Sequence, residues 1–333
     1  MIFADRLRPP APGEALAPIA KDWLHLNLFD RRSDVAVVIN ASLHGRSGER
    51  PGVASATALI RAHGEWTTTH RVVAGTEALT TDRSISVGDE LLMRLDPVTG
   101  GLDVVFEDRL AEVTLVVAAT PMVDAIESAP FTFGSGWIGW RAVPLLSVNG
   151  RLTDGRGTIG LDGALAYHDH NWGRWRWGED IGWVWATWPS HDGALVISKA
   201  TDRAHRNGAA RAVLALPTNG RWTSRSYGAA SVVLDADRWR SGCNRRIPGA
   251  MAALHGGRTK PRLPTRLELR IDDGFDRFRA QFEADDVTQV IVAEPAAAGY
   301  SFIHEITGRF RAEGTSDGRP FAIEGEGVLE HVD

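Results

Sequence analysis

Short runs in which apolar and polar residues alternate dominate the chain. Trp23–Asp30, Val35–Leu43, Val53–Ala62 and Trp66–Val73 follow one another quickly, separated by clusters of Gly, Asp, Arg and Pro. The pattern recurs at Leu91–Asp96, Leu102–Phe106, Val113–Ala118, Leu165–Tyr167, Gly182–Trp188 and Ala194–Lys199. Further runs fall at Ala212–Leu216, Ser231–Leu234, Arg266–Ile271, Arg277–Glu283, Phe302–Arg311 and Phe321–Leu329. Apolar stripes of helical period are hard to find; only Ala125–Ser128 and Asp235–Arg240 read as short helices. Many short strands with tight turns predict an all-β protein of barrels or sandwiches, with few short helices.

At 333 residues the chain exceeds one ordinary core and suits two of roughly 150 residues each. An internal echo supports a division. Gly150-Arg-Leu152 leads through a Gly/Asp turn to Gly163-Ala-Leu165 and then His168. Gly308-Arg-Phe310 leads through a similar turn to Gly327-Val-Leu329 and then His331. If this is a duplication, each half closes with the same hairpin. The expected domains are residues 1–178 and 179–333, with a cleft at the junction.

Composition narrows the class. A hydrophobic content of 43% with 24% charged residues is that of a soluble globular protein. A net charge of −5, with arginines scattered among acids, gives no footprint for nucleic acid. The single Cys243 excludes an intrachain disulfide framework and a multi-cysteine zinc site. The first residues lack a signal-peptide core, and no run of 18 apolar residues occurs, so a cytoplasmic protein without stable membrane insertion is expected. Two G-x-G-x-x-G matches, from Gly134 and from Gly155, invite a dinucleotide-binding assignment. Neither opens a helix, so both read as β-turns.

The chemistry is concentrated in Tyr167-His-Asp-His-Asn-Trp-Gly173, which opens a stretch holding six of the twelve tryptophans. In an extended strand His168, His170 and Trp172 share one face, and Tyr167, Asp169 and Asn171 the other. Proton-transfer groups inside an aromatic wall suit acid–base chemistry on an apolar substrate. A carboxylate on a neighbouring element would orient a histidine ring. A rigid structural crossover fits the same residues, because Asp, Asn and Gly readily bond local backbone. His-x-His also has metal-ligand spacing, with His304, Glu305 or Glu179 as a third ligand, but no second ligand cluster supports it.

The heptapeptide resembles the hallmark of the AttH-like / carotenoid 1,2-hydratase (hydroxyneurosporene synthase) superfamily, which includes Diels–Alderase-type cyclases. Gly182-Trp-Val-Trp185, Trp239-Arg-Ser-Gly242 with Pro248, and Gly325-Glu-Gly-Val-Leu-Glu330 resemble further family elements. The resemblance implies two lipocalin-like (calycin) β-barrels packed side by side. It also implies cofactor-free chemistry on a small hydrophobic substrate of isoprenoid or polyketide origin. Lys199, with Asp202 nearby, stands where carotenoid hydratases carry an acid, which argues against carotenoid hydration itself.

The leading expectation is an acid-initiated hydration or cyclisation. The proton donor is Asp169 or His168, oriented by His170 and Asn171, with Glu305 as a second carboxyl. Tyr167, Trp172, Trp175, Trp177, Trp183 and Trp185 are expected to line the substrate. A pericyclase on the same fold and a non-catalytic carrier of hydrophobic ligands are the alternatives. A homodimer is among the expected partners.

Overall fold

The computed structural model describes residues 5–7, 19–45, 52–133, 136–177, 182–202, 205, 208–247, 262–294 and 299–332. It is all-β, with a single 3₁₀ turn at Gly75–Glu77 among the described residues. Contacts divide the chain into two compact units, Met1–Trp175 and Arg176–Asp333. The expected boundary, Gly178 and Glu179, lies outside the described residues, as do Pro248 and Gly134.

The first unit contains β1 (Ala20–Asp30), β2 (Val35–His44), β3 (Val53–Ala62), β4 (Glu65–Ala74), β5 (Ala78–Thr80), β6 (Ser84–Val87) and β7 (Leu91–Leu95). It continues with β8 (Leu102–Asp108), β9 (Val113–Pro121), β10 (Ile126–Phe133), β11 (Gly136–Asp154), β12 (Gly157–Gly160) and β13 (Ala164–Arg174). They form one sheet in the order β4-β3-β2-β1-β13-β11-β9-β8-β7-β6-β5. β6 returns to touch β2, β3 and β4, so the sheet rolls nearly closed. Its interior is filled by Leu, Val, Ile and Ala from alternate positions, with Phe106 and Met93.

The second unit contains β14 (Gly182–Ser190), β15 (Gly193–Thr201), β16 (Arg211–Thr218), β17 (Arg221–Tyr227), β18 (Val232–Ser241) and β19 (Arg245–Ile247). It ends with β20 (Arg262–Asp272), β21 (Arg277–Glu294), β22 (Gly299–Ser316) and β23 (Arg319–Val332). The order is β17-β16-β15-β14-β23-β22-β21-β20-β18, curved as a half-barrel. Each unit thus opens with a four-strand meander whose first strand pairs with the unit's last strand. The echo at Gly150 and Gly308 falls on equivalent strands, β11 and β22, each feeding the closing strand. Topology therefore supports the duplication that the glycine spacing hinted at.

Two expectations fail. All of Ala125–Ser128 but Ala125 lies in strand β10 and Asp235–Arg240 lies in β18, because each finds an antiparallel partner that overrides weak local preference. The 19-residue β11 has no counterpart in the sequence reading, since Pro144 interrupts the run. Pro144 sits where the register shifts between Val143 and Leu146, a bulge that tolerates its missing N–H. The Gly155 match is the β11–β12 hairpin turn, where Asp154 pairs with Gly157.

Trp188, fully buried, stacks on Phe282 and Phe310 with ring centroids 5.6 Å away in each case. This makes it core of the second unit. Gly327 opens the slot for the indole: a Cβ there would lie 2.4 Å from Trp188 Cδ1 and 2.6 Å from the Thr187 carbonyl. Gly327→Ala is expected to cost about 1–3 kcal/mol, read from denaturant midpoints.

Candidate active site

The heptapeptide lies on β13, and pairing on both sides assigns its side chains. Residues directly opposite across antiparallel strands share a sheet face. His168 and His170 stand opposite Leu26 and Leu24 on β1, and opposite Val143 and Arg141 on β11. Leu24, Leu26 and Val143 belong to the apolar core, so this face looks into the barrel. Tyr167, Asp169 and Asn171 occupy the outer face, opposite Asn27, His25 and Trp23. The alternation follows the sequence expectation, and it separates both histidines from Asp169. β13 is buried throughout except Arg174.

On the inner face His170 is clamped between two carboxylates. Its Nδ1 lies 2.7 Å from Asp5 Oδ1 and its Nε2 lies 2.7 Å from Asp22 Oδ1. Burial disfavours the charged ring, but hydrogen bonds to Asp22 and Asp5 outweigh it and hold the pKa at about 9. His170 is therefore an imidazolium at neutral pH. For Asp5, burial is likewise opposed by its bond to His170, and its pKa is lowered. Arg141 adds a second cation, 3.8 Å from Asp5.

His168 is the opposite case. Burial pushes its pKa down to about 4, so the ring is neutral. Nδ1–H donates to the His25 carbonyl at 2.8 Å, and Nε2 is a buried lone pair with no hydrogen-bond partner among the described residues. A neutral ring in this tautomer has no proton to give through Nε2, so His168 does not fit the donor role expected of it. Nor does His170 orient Asp169: it lies on the other face with both nitrogens engaged. The same engagement removes it as a metal ligand, and no cluster of three ligating residues occurs among the described residues. Glu179 lies outside them.

The outer face carries the titratable carboxyl. Asp169 receives Tyr167 OH at 2.8 Å and Trp140 Nε1–H at 3.1 Å on Oδ2, and the Asn171 amide at 2.7 Å on Oδ1. Burial raises its pKa to about 6 despite these donors. Beside it on β1, His25 Nε2–H donates to Asn27 Oδ1 at 3.0 Å, and burial holds His25 neutral with a pKa near 4. That bond leaves the Asn27 amide group, fully buried, without an acceptor for Nδ2 among the described residues. Such a donor costs free energy unless something accepts from it. Trp23 and Trp140 flank Asn171 from the two neighbouring strands.

The other expected aromatics are distributed. Trp172 lies on the inner face, 4.9 Å from the His170 ring and over Gly139, whose Cβ would meet the indole at 2.4 Å. Trp175, just past β13, meets Trp23 edge-on at 5.0 Å, and Lys21 Nζ donates to its carbonyl at 2.6 Å. Trp177, Trp183, Trp185 and Glu305 belong to the second unit. There Trp185, Glu330 and Glu305 form one row across β14, β23 and β22, and Trp183 donates to Glu330. His304 lies on the opposite face of β22, donating Nδ1–H to the His331 carbonyl at 3.0 Å.

Seven residues that the heptapeptide alone did not reveal join these clusters: Asp5, Asp22, Trp23, His25, Asn27, Trp140 and Arg141. A signal for two was present. Leu24, Leu26 and Leu28 alternate with His25 and Asn27, so one face of β1 had to carry polar groups. Nothing in the sequence marked Asp5.

No protein-family model matches the chain, and no curated protein matches it either. Solved structures do. An AttH candidate from Nitrosomonas europaea superposes with a TM-score of 0.67 at 17% identity, covering 98% of this chain and 99% of its own. Kievitone hydratase from Nectria haematococca gives 0.60 at 15% identity, covering 94% and 88%. CghA with Sch210972 gives 0.59 at 14% identity, covering 96% and 89%. The chain thus has the fold of these three proteins.

Proposed function

We propose that this chain is a hydratase- or cyclase-type enzyme that protonates a hydrophobic isoprenoid or polyketide-derived substrate, with Asp169 as donor. The observation that carries the proposal is a fully buried carboxyl, pushed up to about 6, on the same face as a buried amide donor lacking an acceptor. The hydratase among the proteins sharing this fold supports the reaction class.

Each step uses side chains of this chain, the substrate and water. Protonated Asp169 gives its proton to a substrate alkene carbon, leaving a carbocation and a carboxylate. Tyr167, Trp140 and Asn171 already donate to that carboxylate, so its charge forms among preorganised donors. Water, or an internal hydroxyl, bonds to the cation and loses a proton to Asp169, which restores the acid. Asn27 Nδ2–H donates to a substrate carbonyl or hydroxyl and fixes its orientation. A positioned acid contributes about 10²–10⁴-fold. The faces of Trp23 and Trp140 each add roughly 0.5–2 kcal/mol to a cation.

A pericyclic reaction is the second reading, favoured by CghA on this fold and by Asn27, which would polarise a dienophile carbonyl. Turnover in ²H₂O separates the two. Acid initiation leaves one carbon-bound deuterium in the product, whereas a pericyclic reaction leaves none. Product free of carbon-bound deuterium contradicts the proposed protonation. A carrier accounts less well for a carboxyl held by three side-chain donors in place of backbone.

A further inference from the structure

Asp5 and Leu7 precede the first strand, yet both are built into the first barrel. Leu7 is 3% exposed and belongs to the aliphatic core. Its amide donates to the Asp82 carbonyl at 2.8 Å, and Arg6 lies 3.9 Å from the Asp82 carboxylate. Asp82 lies in the turn between β5 and β6, whereas His170 and Arg141, which hold Asp5, lie on β13 and β11. The segment thus runs across the rolled sheet from one region to another, carboxylate on the cations and apolar side chain inside.

The wall does not need Asp5 to balance His170. Asp22 already pairs with the imidazolium through Nε2, from the adjacent strand β1. Arg141 has its own wall partner in Glu127, at 3.4 Å. Without Asp5, a buried Nδ1–H and a guanidinium would face the interior together, next to the bare Nε2 of His168. A carboxylate accepts from the first two.

We infer that this end of the first barrel is a binding site for a small carboxylic acid bearing an apolar chain, which Asp5 and Leu7 occupy as a built-in substitute ligand. The acid's carboxylate replaces Asp5 on His170 and Arg141, and its chain replaces Leu7. The site lies on the opposite face of β13 from Asp169 and does not depend on the function proposed for that residue.

Calorimetric titration of the full chain with octanoate at pH 7 tests this, with octan-1-ol as the uncharged control. A resident competitor lowers apparent affinity by the fraction of time it occupies the site, so Asp5→Asn with Leu7→Ala should tighten octanoate by about tenfold or more. Adding Arg141→Gln should abolish that gain, and octan-1-ol should bind all variants weakly. Equal affinity in parent and double variant overturns the assignment. So does a gain that survives Arg141→Gln, or one that octan-1-ol shares. Should the double variant melt too low to titrate, Asp5→Asn alone retains Leu7 and must still tighten octanoate.

Discussion

Asp169→Asn is expected to lower turnover by about 10²–10⁴-fold while leaving the fold intact and no less stable at neutral pH. The amide keeps the shape of the carboxyl and can still accept from Tyr167 and Trp140, while Asn171 can turn its own oxygen toward the new NH₂. What it loses is the proton. The stability half follows from the folded pKa of about 6 against an ordinary 3.8. A raised carboxyl contributes most below the unfolded value and loses that contribution as pH climbs through the folded value. Between about pH 4 and pH 6 the parent should therefore lose roughly 3 kcal/mol that Asp169→Asn does not lose. Paired urea titrations at pH 4 and pH 7 would read that difference. A variant that melts far below the parent at pH 7, with turnover falling only in proportion, would make Asp169 a structural group.

The second large effect lies on the other face of the strand. His170→Gln removes the cation between Asp5 and Asp22 and leaves two buried carboxylates without it. Breaking a buried ion pair from one side typically costs about 3–5 kcal/mol, and that is the expected loss at pH 7. The pH dependence has the opposite origin from that of Asp169. A histidine raised from 6.5 to about 9 contributes fully below 6.5, and the contribution disappears as pH rises through 9. The parent should shed roughly 3 kcal/mol across that window, and His170→Gln should not. If melting temperatures of parent and variant fall in parallel from pH 7 to pH 10, the imidazolium clamp is not what holds this end of the barrel.

These two effects illustrate what could be seen in the sequence. The two-residue period of a strand was enough to put Asp169 and His170 on opposite faces. It could not say which face is core. That is settled by Leu24, Leu26 and Val143, which meet the histidines only through pairing with β1 and β11. Pairing partners also supplied what the heptapeptide lacked, because His25 and Asn27 are 142 and 140 positions from Tyr167 and come opposite only when the closing strand pairs with the first. The missed β11 has a different cause. Pro144 breaks the alternating pattern that marks a strand, and only the bulge restores it. Asp5 was invisible for a third reason: a single acidic residue before the first strand has no periodicity to betray its partner.

The duplication bears on function as well. Equivalent closing strands carry His168 and His331, yet the Tyr-x-Asp-x-Asn face belongs to β13 alone, and β23 places Glu330 opposite Glu305 instead. The two halves share an architecture and have diverged in the chemistry on that strand.

The central claim is that Asp169 delivers its proton to the substrate, and the pH dependence of kcat tests it most directly. With the donor titrating near 6, kcat should be level below that pH and fall tenfold per unit above it, with the limb absent from the residual activity of Asp169→Asn. A kcat that rises with pH through 6, or one that ignores pH there, would contradict it.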